Sequence, residues 1–173
     1  MGSLSDQSDL VYGIGEVWLA DHLSSNPHIL SLQECERYAN SVILRHGGRP
    51  VLVDDGMLTP QISSEMLSGA RNRVPAQADG LQMWLPTWAR NQVVILHEVG
   101  HVLCHQQDID QLEHSGHGPL FVRLFIDLLA CHLGLGLASL LAQARAKGIQ
   151  VATHPVLLGI PMANPRQATF TGV

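Results

Sequence analysis

The clearest periodic pattern in the first third of the chain begins at Ser31 and predicts a helix over residues 32–46. Apolar side chains recur there with the spacing of one helical face: Leu32, Cys35, Ala39, Val42 and Ile43. Ser31 and Glu34 have the spacing of a capping box, in which each side chain accepts a hydrogen bond from the backbone N–H of the other residue. Gly47 and Gly48 then end the pattern.

Residues 49–54 and 81–85 are predicted as two short strands. Each is a short run of apolar and strand-forming residues bounded by turn residues. The residues between them, 57–80, are predicted as a loop because Gly, Asn, Pro and Asp recur among them. Strands of this length form a small sheet, and we expect two to four strands in a mixed or antiparallel arrangement.

Three helices are predicted in the second half of the chain, over residues 88–106, 119–133 and 137–147. The first carries apolar residues on nearly every side, which indicates a helix buried in the core. Pro119 suits the first turn of the second helix, and both later helices end at glycine. A loop rich in breakers, residues 107–116, precedes that second helix. Helices around a short sheet indicate the α+β class.

Length and composition indicate a compact globule. The 173 residues predict a single domain over 1–173, with residues 1–30 and 153–173 as peripheral segments. Hydrophobic residues make up 46% of the chain and charged residues 14%, which excludes a disordered chain. The formal net charge is −5 and no run of basic residues occurs, so the sequence indicates no nucleic-acid partner.

A cytoplasmic location without membrane association is expected. Residues 1–9 contain neither the basic residues nor the apolar run of a secretory signal. The longest apolar stretch, residues 120–142, contains Arg123, Asp127 and His132, so it predicts a core helix and not a membrane span. Three cysteines are too few for a disulfide framework and fit a reducing compartment.

The residues that carry chemistry form the segment His97-Glu98-Val99-Gly100-His101, inside the most apolar predicted helix. Four residues are slightly more than one turn, so both imidazoles share a face, about 6 Å apart along the axis, and can reach one zinc ion. Glu98 lies at the edge of this face, where it can take a proton from a zinc-bound water. A chain of this composition would match the motif by chance roughly 0.02 times. The alternative, core histidines satisfied by hydrogen bonds, carries a heavy desolvation cost.

A catalytic zinc site takes three protein ligands and keeps one position open. The candidates for the third ligand are His105, Glu113, His114 and His117. His105 lies about 12 Å along the helix axis from His97, so it can line the rim of the site but cannot share the ion. His117 precedes Gly118, whose missing side chain permits a close approach of two helices.

The motif resembles the SprT-like zincin metalloproteases when it is taken together with the segment Gly116-His117-Gly118-Pro119-Leu120-Phe121. The resemblance implies a small zincin-like domain of the minigluzincin type, with a short sheet packed on the HExxH helix and three further helices. It also implies that His117 is the third zinc ligand beside His97 and His101, and that Glu98 is catalytic.

Residues 32–43, 85–90 and 121–129 resemble, in addition, a family of small actinobacterial proteins predicted to be metallohydrolases. That similarity covers roughly residues 30–150 and implies no particular substrate. The DNA-repair members of the SprT-like group carry a cysteine zinc ribbon or basic segments, and this chain has neither, so DNA-linked substrates are not implied.

Residues 95–101 also resemble the peptidases that cleave phage-type repressors, whose third zinc ligand is a glutamate. On that comparison Glu113 replaces His117 as the third ligand.

Several further side chains have a functional and a structural interpretation. Asp127 either accepts the second ring N–H of a zinc-bound histidine or pairs with Arg123, one turn away. Three donors to an oxyanion are possible: Arg90, His105 and His114. Two cysteines are expected as small core residues: Cys104 and Cys131. Two tryptophans are expected in the core, with the lining of a substrate cleft as the alternative: Trp84 and Trp88.

The sequence therefore predicts a zinc-dependent hydrolase, with a metallopeptidase as the first choice and another divalent metal possible. The strand at 81–85 is expected to present an edge along which an extended peptide pairs, which favours a peptidase. The alternatives are a non-proteolytic metal-dependent enzyme that acts on a small molecule, and a protein with a purely structural metal. The sequence sets neither the substrate nor the oligomeric state.

Overall fold

The computed structural model describes residues 7–25, 29–55, 76–107 and 116–153. Those residues form an α+β arrangement with five α-helices and one three-stranded sheet, in agreement with the predicted class. The chain divides into two compact units, a terminal unit (residues 1–17 and 108–173) and a central unit (residues 18–107). The single domain expected from the length stays a prediction.

The sheet belongs to the central unit and is mixed, which is one of the two predicted arrangements. Its strands are β1 (Leu52–Asp54), β2 (Gln77–Ala78) and β3 (Gln82–Trp84), in the order β1-β3-β2. β1 pairs with β3 in parallel, and β2 pairs with β3 antiparallel. Met83 lies at the centre of the register, opposite a residue of each neighbouring strand, and its side chain is fully buried.

β3 is the central strand of the sheet, so the expected edge at residues 81–85 is a wrong prediction. The sequence gives no sign of β2, which lies within the residues predicted as a loop and occupies the second edge of β3. Two residues cannot display an alternating pattern, and their pairing depends on β3 itself. Residues 57–75 of that predicted loop lie outside the described residues.

Helix α2 (Leu32–Arg45) has the predicted capping box at its first turn. The Ser31 N–H donates to Glu34 Oε2 at 2.8 Å, and the Glu34 N–H donates to Ser31 Oγ at 3.3 Å. The helix ends one residue earlier than predicted, at a C-cap formed by His46 before Gly47, whose φ is 75°. Local chemistry therefore sets both ends of this helix.

Helix α3 (Gln92–Gln106) begins four residues later than the predicted start at residue 88. Residues Thr87–Ala89 form a separate 3₁₀ turn, and Asn91 then caps α3 by accepting the Val94 N–H at 3.0 Å. Residues 88 and 89 are apolar and continue the pattern of the helix, so the sequence does not reveal the break before α3. The start of α3 is signalled by its polar N-cap, Asn91, three residues after residue 88.

Two side-chain amides link the helices of this unit to the irregular backbone near the sheet. Each amide forms hydrogen bonds with both the N–H and the carbonyl of one residue. Asn40 on α2 accepts the Val51 N–H at 2.8 Å and donates to its carbonyl at 3.0 Å. Gln106 on α3 pairs with Arg49 in the same way, at 2.6 and 2.9 Å, and also donates to the Gly80 carbonyl at 2.8 Å. These side chains thereby satisfy the hydrogen-bonding groups of the irregular backbone beside the sheet, where no further strand of the described residues pairs with it.

Two helices of the terminal unit are placed as predicted, α4 (Pro119–Leu133) and α5 (Leu137–Ala146). Pro119 begins α4, and Gly134 ends it in the left-handed conformation with φ 68°. One face of α4 is buried: Phe121, Val122, Leu124, Phe125, Ile126, Leu128 and Leu129. The predicted end of α5 at residue 147 is one residue too late.

Helix α1 (Ser8–Ser25) lies in residues 1–30, for which the sequence predicts a peripheral segment and no helix. Val11, Ile14 and Trp18 are nevertheless buried, with the spacing of one helical face. Leu10, Tyr12 and Val17 are half-exposed between them, and these apolar residues on other faces obscure the period. No helix among the described residues combines the length and apolar character that a membrane crossing requires.

Candidate metal centre

Helix α3 carries polar side chains in a buried setting. Ten of its residues are buried, and His97 and Glu98 are among them with 7% and 4% of their surface exposed. The predicted burial of this helix is therefore confirmed. Buried polar groups need hydrogen-bond or metal partners. Transfer of such a group from water to an apolar environment without a new hydrogen bond costs about 2–7 kcal/mol of free energy.

The imidazoles of His97 and His101 face each other on α3. Their Nε2 atoms lie 3.2 Å apart, and the ring centroids are 4.9 Å apart with the planes inclined by 71°. An ion bound at about 2.0–2.1 Å from both nitrogens would see them at an angle of about 100°, close to the tetrahedral angle of zinc sites. The pair therefore fits two ligand positions of one metal ion.

The described residues include groups of histidine and cysteine side chains whose ligand atoms lie near enough to one another to hold a metal ion. His97 and His101 belong to such a group. The same two nitrogens are within hydrogen-bond distance of each other, with one neutral ring as the donor and the other as the acceptor. Metal binding by these residues stays a prediction, which the geometry permits.

Glu98 combines complete burial with proximity to the histidine pair along the helix. Burial raises the pKa of its carboxyl group to about 8, because a charged carboxylate loses its hydration there. A cation nearby would act in the opposite direction and favour the carboxylate. This environment suits a residue that holds and releases a proton near neutral pH.

His117 belongs to the terminal unit, where it precedes α4 and is only 7% exposed. Its Nδ1 and the hydroxyl oxygen of Ser8 form a hydrogen bond at 3.0 Å. The ring also contacts Tyr12, with centroids 5.1 Å apart, and meets Phe121 edge-on at 4.9 Å. Gln7 Nε2 donates to the His117 carbonyl at 3.4 Å. The position and ring orientation of His117 are thus held by several side chains.

Asp127 pairs with Arg123. Of the two roles that the sequence suggests for this carboxylate, the structure shows the ion pair and not a hydrogen bond to a proposed metal ligand. Arg123 Nε lies 3.0 Å from both carboxylate oxygens. Burial raises the pKa of Asp127, while Arg123 acts in the opposite direction. His117 Nδ1 is bonded to Ser8 and not to this carboxylate.

The remaining candidates separate by exposure. His105 is exposed at the last turn of α3 and lies against Gly80, and Arg90 Nε donates to the Leu85 carbonyl at 3.1 Å. Glu113 and His114 lie outside the described residues.

The predictions for the cysteines and tryptophans are half right. Cys104 is buried as expected, but Cys131, in the last turn of α4, is exposed. Trp88 is 38% exposed and is no core residue, whereas Trp84 is of intermediate exposure. The apolar character of residue 88 predicts burial, but its 3₁₀ turn carries it outward.

Sequence reasoning missed the contacts of the N-terminal segment with His117. Ser8, Gln7 and Tyr12 all contact His117, more than one hundred positions away in the chain. The spacing of Val11, Ile14 and Trp18 is the signal that could have revealed a helix there. No pattern in the sequence links this helix to His117. Comparison of the chain with protein-family models, with curated proteins and with solved structures finds no match in any of the three.

Proposed function

We propose that this protein is a zinc-dependent hydrolase in which His97, His101 and His117 hold the metal ion and Glu98 moves the proton. The observation that carries the proposal is the 3.2 Å separation of the two Nε2 atoms on a helix that also carries a buried glutamate. A purely structural role for this helix gives no reason to bury an imidazole and a carboxyl group beside a second, partly buried imidazole.

His117 is the proposed third ligand for two reasons. It lies in the segment Gly116-His117-Gly118-Pro119-Leu120-Phe121, which resembles the segment that carries the third ligand in the SprT-like group. Its ring is also held in one orientation by Ser8, Tyr12 and Phe121, as expected for a preorganised ligand. Three histidine ligands leave the fourth position of a tetrahedral ion for a reactant.

The chemistry divides between the ion and the chain. Zinc held by these residues would supply a Lewis acid that lowers the pKa of a water molecule to about 7. Glu98 would take the proton of the water whose oxygen bonds to the substrate carbonyl, and would return it to the leaving group as the bond to that group breaks, an amine if the substrate is a peptide. The buried surroundings of Glu98 keep competing water away from the carboxyl group.

Peptides are the first substrate class to be tested, because the motif and its spacing resemble a metalloprotease group. The second candidate is a hydrolase or biosynthetic enzyme that acts on a small molecule. One observation favours this second candidate: both edges of β3 are occupied, so that strand cannot accept an extended peptide.

The test compares the wild type with the Glu98→Gln variant, and with Glu36→Gln on α2 as a matched control. Both variants and the wild type are expected to bind one zinc ion. Hydrolysis of internally quenched peptides should fall about 10²–10⁴-fold in Glu98→Gln and stay unchanged in Glu36→Gln.

Other outcomes discriminate among the candidates. Cleavage of small amides or esters, with no cleavage of any peptide, selects the small-molecule hydrolase. Full turnover by zinc-loaded Glu98→Gln contradicts the role given to Glu98. A zinc ion with four protein ligands and no open position indicates a structural metal.

A further inference from the structure

We propose that Ser8 is a positioning residue for the third metal ligand, and that the N-terminal turn of α1 exists to hold His117. This inference rests on the proposed function, because it concerns the loading of the same metal site. It assigns a role to a segment that carries no recognisable motif.

The hydrogen bond between Ser8 and His117 engages one ring nitrogen, Nδ1, on the side of the ring that faces α1. A neutral imidazole carries its proton on one nitrogen and presents a lone pair on the other. When Nδ1–H donates to Ser8 Oγ at 3.0 Å, the lone pair is on Nε2, the same atom type through which His97 and His101 meet. Ser8 is thus placed to accept the Nδ1 proton that His117 carries when Nε2 binds a metal ion, which orients the ring in that state.

Aromatic contacts restrict rotation of the same ring. Tyr12, one helical turn beyond Ser8, lies at 5.1 Å from the His117 ring with an interplanar angle of 59°. Phe121 meets the ring from α4 at 4.9 Å and 75°. A rotation that would carry Nδ1 away from Ser8 has to displace one of these two rings.

Gln7 fixes the backbone at the same point. Its amide accepts the Gln150 N–H at 2.6 Å and donates to the Gln150 carbonyl at 3.1 Å. The same Nε2 donates to the His117 carbonyl at 3.4 Å, and the Gln7 residue is only 6% exposed. The start of α1 is therefore fastened both to the residue that carries the ligand and to the chain after α5.

Removal of the Ser8 hydroxyl should weaken metal binding without unfolding the protein. Partners of metal-bound histidines contribute about 10-fold to 100-fold to metal affinity. We expect Ser8→Ala to raise the dissociation constant for zinc within that range, and Ser8→Thr, which keeps a hydroxyl group, to restore most of it. The variant keeps the helix, because alanine is tolerated in a first turn.

The experiment measures zinc affinity by competition with a chromogenic chelator, on the full chain. Ser139→Ala is the matched control, since Ser139 also accepts a side-chain hydrogen bond in the terminal unit, from Gln143 at 3.1 Å. The cobalt(II)-loaded forms supply a spectroscopic readout: the visible bands should change in Ser8→Ala and be wild-type in Ser139→Ala. The melting temperature of the metal-free proteins shows whether folding is preserved.

The outcomes separate this inference from the proposed function. If His117→Ala loses zinc while Ser8→Ala keeps the affinity and cobalt spectrum of the wild type, Ser8 does not position the ligand and only this inference is overturned. If the wild type binds no zinc, the proposed function fails as well. Weakened binding in Ser8→Ala that Ser8→Thr does not recover also overturns the role of the hydroxyl group.

Discussion

His97 and His101 place their Nε2 atoms 3.2 Å apart on one face of α3. Residues four apart on a helix lie on neighbouring turns, so the spacing alone brings the two rings to the same side. Burial of most of the helix also limits the access of water to His97, so a contact with the His101 ring or with a shared ion can replace part of its hydration.

Replacement of either histidine of this pair should abolish tight metal binding. His101→Ala removes a direct ligand, so its dissociation constant for zinc should rise by more than about 100-fold, beyond the effect of an outer partner. His105→Ala, an exposed histidine on the same helix, is the matched control and should bind zinc like the wild type. Equal affinities in the two variants, measured by chelator competition, would be incompatible with the proposed site.

Asp127 should have no influence on the metal. Its carboxylate is engaged with Arg123 at 3.0 Å, and the proposed ligand His117 is bonded to Ser8 instead. Asp127→Asn is therefore expected to keep the zinc affinity of the wild type within about twofold, since no metal-bound ring depends on it. A tenfold loss of affinity would show that the carboxylate supports a ligand after all.

Two glycines should respond to alanine in opposite directions. A Cβ atom at Gly48 would lie 2.7 Å from Ile43 Cγ2 and 2.9 Å from Leu103 Cδ2, so Gly48→Ala should destabilise the protein by about 1–3 kcal/mol. Gly13 lies within α1 with no atom in the way of a Cβ, so Gly13→Ala should stabilise it by about 0.5–1 kcal/mol. Urea unfolding measures both values. Destabilisation by Gly13→Ala would contradict the helix assigned to residues 8–25.

The three cysteines should differ in reactivity. Cys131 is exposed and is expected to react with a thiol reagent at pH 8, whereas the buried Cys35 and Cys104 should react only after unfolding. Burial raises the pKa of Cys35 from 9.0 to about 11. As the pH rises, the Cys35 thiol therefore loses its proton at a lower pH in the unfolded chain than in the folded protein. The free energy of unfolding should fall as the pH rises from 9 towards 11. Cys35→Ala should weaken that dependence, and rapid labelling of all three thiols in the native protein would contradict the assigned burial.

The sequence was most informative where the signal is local. The ends of α2 were predictable from Ser31, Glu34 and Gly47, because caps and glycine stops act within a few residues. The paired orientation of His97 and His101 was equally predictable, since it follows from helical spacing alone.

Contacts between distant residues were not predictable in the same way. The strand Gln77–Ala78 forms only by pairing with β3, and it removed the edge expected for a peptide. The hydrogen bond between Ser8 and His117 joins residues separated by 109 positions, and no sequence motif predicts that they are in contact. Tertiary packing decides such pairs, and a single sequence carries no pattern for them.

Zinc X-ray absorption spectroscopy of the loaded wild-type protein tests the central claim most directly. The account predicts three imidazole nitrogens and one further light atom at about 2.0–2.1 Å, with one imidazole fewer in each of His97→Ala, His101→Ala and His117→Ala. A protein that takes up no zinc, or a spectrum with sulfur ligands or without histidine, would contradict it.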